Sequence, residues 1–238
     1  MFFKQIRVIA LSILFCAATA HANGHIDEFH FPDTVTLNFV TSQAASQISP
    51  VSTNNPLVES FTHELVMKSG QTIQNLSNVW VFHTETFNPK GEKVLSQDLY
   101  RKIDKSGWIE YVWDPQLNIW KDYLLIPLPI KGNTKWNSSV RVAVEGESAP
   151  MYRQRHGETL FWEEVKFSDV PLWCFKMQIK ETIFNPLYDE KPNLIVHRYW
   201  FSKLLGVVKH EAQYGNGKIE ITKLVSVPEW AQAIKTDR

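Results

Sequence analysis

The chain has 238 residues, with 25 Lys and Arg against 25 Asp and Glu, so its formal net charge is zero. That balance excludes a nucleic-acid partner, whose footprint is a basic patch or a high pI. Two cysteines exclude a disulfide-stapled scaffold, and a 44% hydrophobic content at this length supports a core that needs no staple.

Lys4 and Arg7 form a short basic region ahead of an apolar run from Val8 to Ala18. Ala20-His21-Ala22 then supplies the small-x-small pattern of signal cleavage, which predicts a signal peptide over residues 1–22. The apolar run is too short for an anchor, which needs roughly 20 residues. Removing Lys4 and Arg7 leaves 23 basic against 25 acidic residues and Cys174 as the one remaining thiol, expected to be buried. No later apolar run suggests a transmembrane segment in the mature chain. Export through the signal peptide places the protein in the periplasm, with release from the cell as the alternative.

From Asn23 the chain reads as an entry segment with one strand, Val35 to Val40. Residues 41–56, "TSQAASQISPVSTNNP", hold ten Ser, Thr, Asn or Gln in sixteen and read as a flexible linker. The domain boundaries that follow are 23–57 for an N-terminal segment and linker, and 58–238 for a single β domain. "VESFTHELVMK" (58–68) fits either a short helix or a strand.

From Val79 the pattern is that of strands. "VWVFHTETF" stops at "NPKG", "VLSQDLYRKI" at "DKSG", and "WIEYVW" at "DPQLN". "IWKDYLLI" runs into "PLPIKGNTKW", a rigid corner in which Pro127 and Pro129 end a strand at a sheet edge and Gly132 permits the turn. Trp136, Ser138, Val140, Val142 and Val144 then alternate against polar residues with period two. "WCFKMQIKETI" puts Trp173, Phe175, Met177, Ile179 and Ile183 on one face, with Glu181 breaking the row and Cys174 on the polar side. "GVVKHEAQ" and "KIEITKLVSV" flank a "YGNG" hairpin turn. The fold class expected is mainly β, a curled antiparallel sheet, half-barrel or open barrel, of about ten strands with one or two short helices. Its apolar face is to be covered by residues 58–68, by the C-terminal "PEWAQAIK", or by a partner.

Between Tyr100 and Gln213 the chain resembles exported bacterial proteins of unknown function built on curled antiparallel sheets. The matching pieces are Gly107-Trp108, a Pro-Leu…Gly…Trp corner at Pro127, Leu128, Gly132 and Trp136, and Val140 to Gly146. Phe175-Lys176, Trp200-Phe201 and Gly206-Val207-Val208-Lys209 follow in the same order. The corner has three residues in each gap where the pattern has two, and "SDVP" replaces a Pro-x-Gly turn. Such sheets are similar to the lipoprotein-carrier and lipid-binding half-barrels of the periplasm. The resemblance therefore implies, by analogy of fold, a hydrophobic groove.

Catalytic signatures are missing: there is no G-x-S-x-G, H-E-x-x-H, P-loop or G-x-G-x-x-G, and no cofactor is expected. Cleavage after Ala22 would start the chain at Asn23-Gly24-His25, whose amine, amides and imidazole form a square-planar nitrogen set suited to Cu(II) or Ni(II). Cys174 with His156, His197 or His210 is a candidate thiol–imidazole pair. Glu163 and Glu164 cannot flank one bond, because adjacent strand residues face opposite ways. The tryptophans read as core, or as the lining of a cleft. The functional expectation is a non-catalytic exported β protein that binds a hydrophobic, lipid-like ligand or an envelope protein partner. The alternatives are a hydrolase with a dispersed site and a structural subunit of an envelope assembly.

Overall fold

The computed structural model describes residues 32–44, 57–69, 75–114, 116–142, 149–167, 170–187, 189 and 191–233. The expected signal peptide and the Asn23-Gly24-His25 metal set lie outside them. Twelve strands follow in order. They are β1 (Thr34–Ala44), β2 (Leu57–Lys68), β3 (Trp80–Phe87), β4 (Lys93–Asp104), β5 (Gly107–Asp114) and β6 (Ile119–Pro127). After the corner come β7 (Lys135–Val142), β8 (Met151–Phe167), β9 (Val170–Phe184), β10 (Asn193–Ser202), β11 (Gly206–Tyr214) and β12 (Ile219–Leu224). One short helix, α1 (Glu229–Ala233), ends the described chain.

All twelve strands form one sheet in the order β6-β5-β4-β3-β2-β1-β12-β11-β10-β9-β8-β7, every pair antiparallel. Two meanders are joined where β1 pairs with β12. The sheet curls into a nearly closed barrel, which leaves β6 and β7 as the two edges. Side chains bridge that seam in place of a backbone ladder. Trp136 Nε1 donates to the Leu125 carbonyl at 3.0 Å, and Lys121 Nζ donates to the Arg141 carbonyl at 2.8 Å.

The expected strand at Val35–Val40 lengthens to β1, so ordered sheet reaches four residues into the stretch read as linker. The ladder explains this: Thr41 through Ala44 pair with β12, and their polar side chains do not prevent backbone pairing. The ambiguous segment 58–68 is a strand and not a cover; it lies between β1 and β3. The cover comes from α1 and its approach, where Val227 and Ala231 are buried in the core.

Alternation holds on β7, where Trp136 and Val140 are buried and Asn137, Ser139 and Arg141 exposed. At the corner, Pro127 ends the edge strand β6 as expected, and Asn133, next to Gly132, takes the left-handed conformation (φ 60°). Asn tolerates that region because its short polar side chain hydrogen-bonds locally. The buried Thr159 pins the turn. Its hydroxyl accepts from Thr134 N at 2.8 Å and donates to the Lys131 carbonyl. Gly157 lets the Trp136 indole lie flat against β8, since a Cβ there would strike the ring.

The barrel interior is layered. Cross-strand pairs Trp162↔Phe175 and Thr159↔Met177 begin an apolar floor with Trp108, Phe201 and Leu224. Leu128 and Ile130 of the corner and Leu204-Leu205 of the β10–β11 turn close it from below. Further along β8 and β9, past Gly157↔Ile179, the next inward pair is Arg155↔Glu181. Chemistry changes there.

Candidate functional site

Every strand presents alternate residues inward, so a charged residue at an inward position is carried into the barrel whatever its own preference. Arg155 and Glu181 occupy such positions and are 9% and 4% exposed. Arg155 Nε donates to Glu181 Oε1 at 2.6 Å, and Arg153 Nε lies 3.3 Å from the same oxygen. On the other oxygen, His197 Nε2 approaches to 3.2 Å and must be the donor, because an ionised carboxylate only accepts. His197 Nδ1 in turn shares a hydrogen bond with His210 Nε2 at 2.9 Å. The chain continues from Arg153, whose Nη1 donates to Tyr123 Oη at 3.2 Å. Tyr123 donates to Glu110 Oε1, and Arg101 holds Glu110 Oε2 through two nitrogens, each at 3.0 Å. Seven strands, β11, β10, β9, β8, β6, β5 and β4, are thus linked through side chains alone. The Arg153–Tyr123 step crosses the unpaired seam.

Aromatic faces pack against this belt. The Arg155 guanidinium lies 4.9 Å from the Tyr123 ring centroid, and that of Arg101 lies 4.4 Å from the Phe82 ring. Tyr199 stacks on His210 at 4.4 Å. The electrostatics follow. Burial pushes the Glu181 carboxyl up, but the His197 hydrogen bond and the charges of Arg155 and Arg153 outweigh it and hold the pKa at about 2. Glu110 is likewise raised by burial but drawn below its ordinary value by Arg101, Tyr123 and Arg155. Burial, with His197 and Arg155 beside it, pushes His210 down to about 3. Burial also raises Glu64, against the pull of Arg101 and Thr84.

The candidates taken from sequence are not brought together. Cys174 faces the core with no exposure, and its thiol donates to the Leu172 carbonyl of its own strand at 3.5 Å. Burial and then the Glu163 charge push that thiol up to about 12. Strict alternation fails at Cys174 because β8 and β9 shift register between Thr159 and Trp162, and Cys174 and Phe175 are both buried. His156 bonds exposed Asn137 at 2.7 Å, and His197 and His210 belong to the belt. Glu163 accepts from Trp200 Nε1. The belt itself was missed, although Glu181 interrupting an apolar row was its signal.

A second feature lies on the outer face. Tyr152 and Phe184 are cross-strand partners on β8 and β9, and Gln154 and Thr182 pair beside them. With Pro186 and Pro192 they line a cleft of about 460 Å3. Leu194, opposite Thr182 on β10, and Leu187 are 49% and 47% exposed next to it.

Comparison of the backbone with solved structures finds this architecture elsewhere. A candidate exported protein "with YmcC-like fold" from Bacteroides fragilis superposes with a TM-score of 0.56 over 87% of this chain and 100% of its own, at 10% identity. The chain shares that fold. A candidate lipoprotein from Parabacteroides distasonis superposes with a TM-score of 0.55 over 84% of this chain and 99% of its own, at 12% identity. Comparisons with protein-family models and with curated proteins found no match. At the level of fold the neighbours agree with the resemblance to exported proteins built on curled sheets. Among the described residues no helix is long and apolar enough to cross a membrane.

Proposed function

We propose that this is a periplasmic envelope protein that binds an apolar, lipid-like ligand without catalysing a reaction, and that the ligand seats in the outer cleft of Tyr152, Phe184, Pro186 and Pro192. The observation that carries this reading is the cleft. It has the volume of a small-molecule site, aromatic and proline walls, and few polar groups to fix orientation. Exposed Leu187 and Leu194 extend its apolar surface. The inner face of the sheet is a poor seat for such a ligand, because packed apolar side chains fill the floor and the layer above carries ionised groups. A binding role is supported over catalysis by the state of the reactive groups: the Cys174 thiol is buried and protonated, and Glu181 is held by hydrogen bonds from Arg155 and His197 and by the nearby charge of Arg153. Export is supported by the leader-like pattern through Ala22 and by the fold shared with the candidate exported protein and lipoprotein.

The test is native mass spectrometry of gently purified protein, followed by titration with the neutral apolar dye Nile red. A co-purified lipid, and saturable dye binding weakened at least tenfold by Tyr152→Ala with Phe184→Ala, are expected. Both changes are at part-exposed positions, so folding is retained. No bound lipid with no saturable dye signal, or a signal the double change leaves intact, refutes the reading. A co-purified polypeptide in place of lipid points instead to a protein partner and also overturns the lipid assignment.

A further inference from the structure

The interior belt is not charge-balanced. Arg101, Arg153 and Arg155 face two carboxylates held ionised, Glu110 and Glu181. Burial holds His210 toward its neutral form, and Glu64 toward its neutral acid, so neither adds a compensating charge. Arg155 is the most constrained of the three. Its Nε is taken by Glu181 and one face is turned to the Tyr123 ring, yet its Nη1 is buried without a hydrogen-bond partner among the described residues. A guanidinium offers five N–H donors, and a buried one left unused is costly unless something accepts from it.

We propose that the barrel interior binds a small oxyanion group, a carboxylate or a phosphate, on the free Nη1 edge of Arg155. An oxyanion supplies both missing quantities, a negative charge and acceptor lone pairs in the guanidinium plane. A neutral acceptor would leave the charge uncompensated, and a cation would be repelled by three arginines. The layer beyond the belt offers a polar approach and not an apolar one. There Thr41 meets Thr222 at 2.8 Å and Thr62 meets Thr86 at 3.3 Å, while the Glu220 carboxylate beside them is taken up by Tyr214 at 2.7 Å and by Lys218 Nζ at 2.6 Å. The arrangement suits a headgroup-sized anion entering through hydroxyls and stopping at the apolar floor. It is independent of the outer cleft, which contains none of these residues.

The site is tested by titrating 15N-labelled full-length protein with sodium acetate and, separately, inorganic phosphate at constant ionic strength, reading the arginine side-chain resonances. Saturable movement of the Arg155 signals with one or both anions is expected. Response to acetate alone assigns a carboxylate ligand, and response to phosphate alone a phosphate ligand. Arg155→Gln should weaken binding at least tenfold, the loss of one charge-assisted hydrogen bond. Should that variant not fold, Arg153→Gln, at a more exposed position that leaves the Arg155–Glu181 bond in place, should weaken binding severalfold. No saturable response to either anion in the wild-type protein, or equal responses with and without the arginine, overturns the proposal. Nile red binding at the outer cleft should be unaffected by either anion, so the two readings fail separately.

Discussion

Replacing Glu181 by Gln removes the anion at the centre of the belt while keeping its shape. In the folded protein the Glu181 carboxyl is held at about 2 against an ordinary 4.5, so ionised Glu181 contributes about 3 kcal/mol at neutral pH. Glu181 is only 4% exposed, so solvent screening does not reduce that figure much. The independent expectation for removing one partner of a buried ion pair, about 3–5 kcal/mol, agrees. Because the folded value lies below the unfolded one, the contribution is complete above pH 4.5 and is lost as the pH falls through 2. Urea unfolding followed by tryptophan fluorescence measures it. With a slope of roughly 2 kcal/mol per molar for a chain of this size, the variant midpoint at pH 7 should fall by about 1.5 M. The gap to wild type should shrink to about half by pH 3. A gap below about 1 kcal/mol at pH 7, or one that stays constant down to pH 3, refutes the claim that Glu181 is ionised and held by Arg155, Arg153 and His197.

Gly157→Ala drives a methyl group into the Trp136 indole and should destabilise the protein by about 1–3 kcal/mol or more, seen as a lower thermal midpoint; an unchanged midpoint would show that the seam can give way. Thr159→Val strips the corner of the hydroxyl that serves Thr134 N and the Lys131 carbonyl. A loss of about 1–3 kcal/mol is expected, with hydrogen exchange at Thr134 rising well above that of the β8 interior. Cys174 should resist iodoacetamide at pH 8 in the native protein and react promptly in urea, as read by intact mass; rapid native labelling would contradict its burial and its pKa near 12.

Local rules were enough for the strands. Period-two patterning from Trp136 to Arg141, the "YGNG" hairpin between Tyr214 and Gly217, and prolines ending β6 depend on residues near one another in sequence. Glu181 was visible as a charge in an apolar row, but its partners were not. Arg155 is 26 residues away and Arg153 reaches it across the β8–β9 ladder. The outer cleft depends on Tyr152 meeting Phe184, which only the register of β8 against β9 decides.

The sequence by itself determined an all-antiparallel β chain, because alternation and turn chemistry are local properties of the backbone. Tertiary structure decided where the curling sheet stops. Residues 58–68 join it as a strand because their backbone pairs with β1 and β3, and β6 meets β7 through side chains and not a ladder. That meeting turned eight inward polar residues from seven strands into one connected belt. Register and closure act between residues far apart in the chain, and no local pattern encodes them.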